Sequence, residues 1–217
     1  MRTDPSCPRC GRAIHPPNVW TSAWLCDAHG PVAPLRRIRP LGDSTVDLLV
    51  KSAEVPVWMP WPLPAGWVVT GFAEAGDDRS GALGIAVALS GPAPLGGVGE
   101  MAIVAEDPGI GLGARLAGFD GSDPGSGFDA GPPDAKIRHD GHEIALWSVD
   151  GGTERAVYAG EANSCWMWIV FNPADVGVQI CELKAVIDLR DHQGGLSRQL
   201  PFGAPSPFLA SALRPMD

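Results

Sequence analysis

The sequence predicts an α+β, mainly β protein, with an N-terminal zinc ribbon followed by a β-rich antiparallel domain that has few short helices. Three observations carry this. Two short Cys/His pairs stand within the first thirty residues, and apolar, β-capable runs broken by Gly/Pro turns fill most of the remaining chain. The 28 glycines and 22 prolines among 217 residues leave little room for long helices.

The ribbon rests on spacing. Cys7-x2-Cys10 is followed by fifteen residues and then Cys26-x2-His29. Zinc takes four N or S ligands in a tetrahedron, and two short-loop pairs brought together by a hairpin supply them. Both pairs end in glycine (Gly11 and Gly30), which allows a tight turn to aim amides at the sulfurs. His15 competes as a ligand but lies outside both pairs and is left out. Four protein ligands close the shell, so the expected cofactor is a structural Zn2+ with no catalytic role. Binding would supply the folding energy of a module too small for a core of its own.

The chain then divides into four segments: ribbon 1–35, linker 36–44, β-rich domain 45–200 and a Pro-containing tail 201–217. A short helix is predicted from Ser44, with Ser44 and Asp47 as a capping-box-like pair, Val46, Leu49, Val50 and Ala53 on one face, and Pro56 as the stop. Strands are predicted at Gly84–Ser90 and Gly99–Glu106. Lys136–His139 and His142–Trp147 should form a hairpin across Asp140-Gly141. Arg155–Gly160, Cys165–Phe171 and Val176–Leu189 complete the set, with a further hairpin expected at Asn172-Pro-Ala-Asp. Cys165 and Cys181 read as core residues.

Charge is uneven. Residues 1–40 carry six arginines against two aspartates, a net of +4, while residues 41–217 carry 10 basic and 23 acidic side chains, a net of −13. An acidic body repels phosphate backbones, which argues against nucleic acid as its partner. No run of 18 apolar residues is present, so no membrane span is expected. Thiols at metal spacing and no secretory-type apolar stretch near Met1 lead to an expectation of a reducing cytoplasm.

Weaker constellations each carry a plain alternative. Trp58, Trp61 and Trp67 lie in a Trp/Pro block that could form a binding ledge, although an extended segment packed on the core is favoured. Asp77-Asp78-Arg79-Ser80 could hold a cation or do acid/base work, but reads first as a solvated turn. Gly109-Ile-Gly-Leu-Gly-Ala-Arg115 has the outline of a dinucleotide loop with Arg115 as counter-charge. It lacks the context, since Pro108 interrupts the strand exit and Leu116-Ala-Gly-Phe-Asp-Gly should break any helix. His139, His142 and Glu143 form a weak second metal candidate. Glu100 and Glu161 would matter if buried. No nucleophile elbow, P-loop or His-Glu-x-x-His occurs.

Taken together, Cys7-Pro-Arg-Cys10-Gly11, Val55-Pro-Val-Trp-Met-Pro-Trp-Pro-Leu-Pro, Ala75-Gly-Asp-Asp-Arg-Ser-Gly81, Ser90-Gly-Pro-Ala-Pro-Leu-Gly-Gly and Gly111-Leu-Gly-Ala-Arg115 resemble an uncharacterised family of high-GC Gram-positive bacterial proteins. The resemblance implies a bacterial cytosolic protein and transfers no catalytic role. The functional expectation is a non-enzymatic binding or regulatory protein with a protein partner. Its candidate surface is Trp58, Trp61, Trp67, Asp77, Asp78, Arg79 and Arg115. The alternatives are a domain for a small anionic or phosphorylated molecule and nucleic-acid binding through the basic ribbon.

Overall fold

The computed structural model describes residues 3–150, 152–192 and 195–215. Its centre is an eight-stranded antiparallel sheet. In chain order the strands of the protein are β1 (Trp24–Cys26), β2 (Gly30–Val32), β3 (Leu35–Ile38), β4 (Trp58–Pro60), β5 (Val68–Asp77), β6 (Gly81–Pro92), β7 (Val98–Glu106), β8 (Ala135–His139), β9 (His142–Val149), β10 (Ala156–Ala162), β11 (Cys165–Asn172) and β12 (Val186–Asp188). The large sheet runs β3-β5-β6-β7-β11-β10-β9-β8, while β1 pairs β2 in the ribbon and β4 pairs β12.

Both faces of this sheet are covered, so its central strands are apolar throughout instead of alternating with polar residues. One face presents Phe72, Ile85, Val87, Leu89, Met101, Ile103, Met167, Ile169 and Phe171 to a cover made of α1 (Asp43–Ser52), the β4–β12 pair and a 3-10 segment, Ala174–Cys181. The other presents mostly small residues, with Ala73, Ala75, Ala86, Ala88, Ala102 and Ala159 around Trp168. On it lie two short helices, α2 (Leu112–Ala117) and α3 (Pro207–Ala212). Small side chains let the helices approach closely. At Gly113 a Cβ would stand 2.2 Å from the Trp168 ring.

Several expectations change. The first helix starts at Asp43, with Gly42 at its cap and no side-chain cap bond, so Ser44 and Asp47 form no capping box. Val176–Leu189 is no single strand and makes no hairpin at Asn172. Val176, Ile180 and Leu183 are buried at helical spacing, and only Val186–Asp188 extends as β12. Cys165 is buried but Cys181 is exposed. Strand β5 is not among the predicted strands, because its glycines, alanines and Glu74 give no β signal. The stretch 36–44 holds most of β3, an edge strand paired with β5, and the first two residues of α1. Within 201–217, α3 buries Phe208 and Leu209. No helix among the described residues is long and apolar enough to cross a membrane.

Candidate metal centre and the docked ribbon

Cys7, Cys10, Cys26 and His29 come together. Their donor atoms all lie within 4.8 Å of one another, three of them on buried cysteines. Cys10 Sγ is 3.7 Å from Cys26 Sγ, far beyond a disulfide, and His29 Nδ1 lies 3.5 Å from Cys7 Sγ and 3.6 Å from Cys26 Sγ. The β1–β2 hairpin brings in the second pair at its turn, where Cys26 opposes Gly30. Burial pushes the Cys7 thiol up to about 12, against the amides of Cys10 and Arg9. Cys26 is also partly desolvated, yet the Ala28 and His29 amides and the His29 side chain draw it down to about 7. Buried thiols of this kind are deprotonated together only beside a cation, and these four residues could hold a metal ion. His15 is elsewhere, 3.1 Å from Asp27.

The ribbon is clamped to the sheet at three points. Arg115 of α2, only 4% exposed, donates from Nη1 to Cys7 O (2.9 Å) and from Nη2 to Arg214 O (2.6 Å). Its guanidinium passes so close to Gly11 that a Cβ there would lie 2.1 Å from it, at a φ of +72°. Only glycine fits both constraints. From the opposite direction, Arg9 of the ribbon donates to Gly109 O and, at 3.4 Å, to Ile110 O. At the third point Trp24 Nε1 donates to Asp77 Oδ2 (3.1 Å), with Arg36 stacked over the Trp24 ring, 5.5 Å from its centroid.

These contacts relocate most of the candidate residues. Arg115 faces no cavity and belongs to the clamp. The glycine loop does lead into a helix, contrary to expectation, but its donors are taken. Glu106 accepts from the amides of Leu112 (2.7 Å) and Gly113 (3.0 Å), and Asp123 accepts from Gly109 N (3.0 Å). A phosphate would find its seat filled by the chain's own carboxylates. Glu106 is fully buried, and that burial raises its pKa to about 8 against the two amides. Glu100, six residues earlier on the same strand, does the same for α3. It accepts from Phe208 N (2.9 Å) and from the hydroxyl of Ser206, whose oxygen caps Leu209 N. Glu161 is exposed.

Trp58 and Trp67 are buried at 1% and 3% exposure, and Trp61 is half-buried beside them in the same cluster. Residues 57–60 and Trp67 of the block are therefore core, while Pro62, Ala65 and Gly66 are exposed. Asp77 closes its own turn by accepting from the amides of Ser80 (3.0 Å) and Arg79 (2.9 Å), and the Ser80 amide above all holds its carboxyl below the usual range. Asp78 and Arg79 are exposed. His139 stacks edge-on against Trp58 (4.6 Å) and His142 faces it across the hairpin, but the cysteine/histidine cluster is the one metal-type grouping among the described residues. Glu143 pairs with Lys136 at 2.9 Å.

The sequence profile of a family of unknown function, DUF6758, matches residues 1–209. The chain belongs to that family. No curated protein and no solved structure matches it.

One surface feature of this DUF6758 chain is absent from the predicted site residues. Asn18 Oδ1 accepts from the amides of Trp20 (2.8 Å) and Thr21 (3.3 Å), and Asn18 N bonds Thr21 O (2.9 Å), fixing a tight turn at the ribbon's tip. Its apex holds Val19 and Trp20 at 92% and 91% exposure. Beside it runs a trough in which clefts of about 550, 580 and 330 Å³ all border Arg79. Asn18 followed by two large apolar residues is the available signal. It is masked because Trp20 also reads as the start of a β-compatible run.

Proposed function

We propose that the protein is a zinc-stapled, non-enzymatic binding protein whose recognition element is the Val19–Trp20 turn. Zinc bonds of about 2.3 Å to sulfur and about 2.0 Å to nitrogen make tetrahedron edges of roughly 3.8 and 3.5 Å. The 3.7, 3.5 and 3.6 Å separations of the donors support that metal in a structural role. The single observation carrying the binding role is a rigid turn presenting two large apolar side chains almost wholly to solvent, beside exposed Arg79. Two adjacent large apolar side chains held out on a fixed turn offer a partner an anchor that gains free energy when it is covered. The partner is a protein with an apolar pocket for Trp20 and an acidic group for Arg79, met in a reducing cytoplasm.

Two alternatives lose support. Asp77, Asp78, Arg79 and Arg115, the charged side chains a small anionic molecule would need together, divide between a turn and a buried clamp. Two of the six arginines of residues 1–40 offered to nucleic acid, Arg9 and Arg36, bond inward. Gentle purification of the native protein from its host is expected to bring one enriched protein with it. The Val19→Ser/Trp20→Ala variant should lose that protein while keeping its metal and melting temperature. Wild-type protein that elutes alone and monomeric would sink the reading.

A further inference from the structure

At the edge of the large sheet β3 stops at Ile38, while β5 continues back to Val68 and takes up residues 201–206 as its neighbour instead. Val69 N donates to Pro201 O (2.8 Å), Gly203 N to Val69 O (2.8 Å) and Ser206 N to Thr70 O (2.9 Å). Between the end of β3 and this returning segment the edge is open, and the gap is a half-enclosed cavity of about 440 Å³. That is within the range of small-molecule sites.

Its walls are apolar, made by Ile38, Leu41, Phe72 and Leu209. The two side-chain hydroxyls in the wall are already bonded. Thr70 Oγ1 bonds Ser90 Oγ at 3.1 Å, and Ser206 Oγ donates to Glu100 Oε1 at 2.6 Å. The rim carries Arg37 and Arg39. The outer edge of β3 is closed to an added strand, since Thr3 N bonds Arg37 O (3.1 Å) and Ser6 and Leu35 exchange both backbone bonds. A peptide cannot extend the sheet here, whereas a compact molecule can enter the gap.

We propose that this cavity binds a free small molecule with an apolar body and a single carboxylate. The body fills the space between Phe72 and Leu209, and the carboxylate stays at the mouth with Arg37 and Arg39. Behind Ser206 of the wall stands the acidic side chain of Glu100, so that side offers an anion no positive partner and the head turns outward to the arginines. The site is separate from the Val19–Trp20 turn and does not depend on it.

The test titrates the full-length, metal-loaded protein with decanoate, followed by calorimetry and by amide chemical shifts. Saturable one-to-one binding is expected, with the largest shifts at Gly71, Gly203 and Ala210. Decanol should bind about tenfold more weakly, and Arg37→Ala/Arg39→Ala should lower decanoate affinity by about tenfold while leaving decanol unchanged. Ala210→Trp, which fills the cavity from α3, should abolish binding. Should that variant fail to fold, the shift map of the wild type decides alone. No saturable binding, shifts away from these amides, equal binding of decanol, or undiminished binding to a folded Ala210→Trp protein would each overturn the proposal.

Discussion

The ribbon and the sheet stay folded by different means. Among described residues the ribbon's buried cluster is Cys7, Cys10, Ile14 and Cys26, with Trp24 and Val32 at its margin, and three of those six are candidate metal ligands. The sheet has apolar layers on both faces, one built of large side chains and one of alanines beneath helices. Packing alone can carry the second, since each buried aliphatic or aromatic side chain contributes about 1.5–3 kcal/mol. It cannot carry the first. The clamp matters for this reason: Arg115, Arg9 and Trp24 join a unit built around four candidate metal ligands to one with apolar layers of its own.

Removing a ligand tests that difference most severely. Cys10→Ser, or a strong chelator, should unfold the ribbon, because metal binding of about 10 kcal/mol or more replaces a core there. Elemental analysis is expected to give one zinc per chain in the wild type and markedly less in the variant. The sheet should remain folded but melt at a lower temperature, having lost what the clamp supplies. Full zinc retention by the variant would show the ligand set to be wrong.

Cutting the clamp without touching the ligands comes next. Arg115→Met removes two charged hydrogen bonds and leaves the Cys7 and Arg214 carbonyls short of a donor, a cost of about 2–4 kcal/mol. Zinc content should not change, while amide exchange in the ribbon should speed up. Unaltered exchange would mean that the two units are not coupled through α2.

Glu106 offers a pH-dependent version of the same cut, since it caps the helix that bears Arg115. Folding raises its pKa from the ordinary 4.5 to about 8, so the folded chain holds this proton more tightly than the unfolded one. Its contribution is complete below pH 4.5 and is lost as the pH climbs to about 8. Denaturation midpoints should therefore fall between about pH 5 and 8 in the wild type and stay flatter in Glu106→Gln. An equal slope in both proteins would assign the dependence to another group. The smallest effect is expected from Asp77→Asn, which weakens the Trp24 bond and the turn, by about 1 kcal/mol in chemical denaturation.

Legibility followed the range of the forces involved. The Cys/His cluster was readable because its two pairs are local, each with two intervening residues and the spacing of metal ligands. The Asp140-Gly141 hairpin was readable for the same reason, with φ of +46° and +80° at the two residues. Strands β6, β7 and β11 showed as apolar runs because both faces of the sheet are covered.

The sequence by itself therefore determined the mainly β class, the cluster of Cys7, Cys10, Cys26 and His29, and the core character of Trp58. Only the tertiary structure decided what β5 is, whose weak strand composition is outweighed by pairing with β6 on one side and β3 on the other. It also decided the uses of Glu106 and Arg115. A carboxylate buried six residues before the amides it caps, and an arginine reaching back 108 residues to a cysteine carbonyl, are set by how layers stack. Charge type is written in the sequence, but which atoms a charge meets depends on desolvation and distance, and those exist only once the chain has packed.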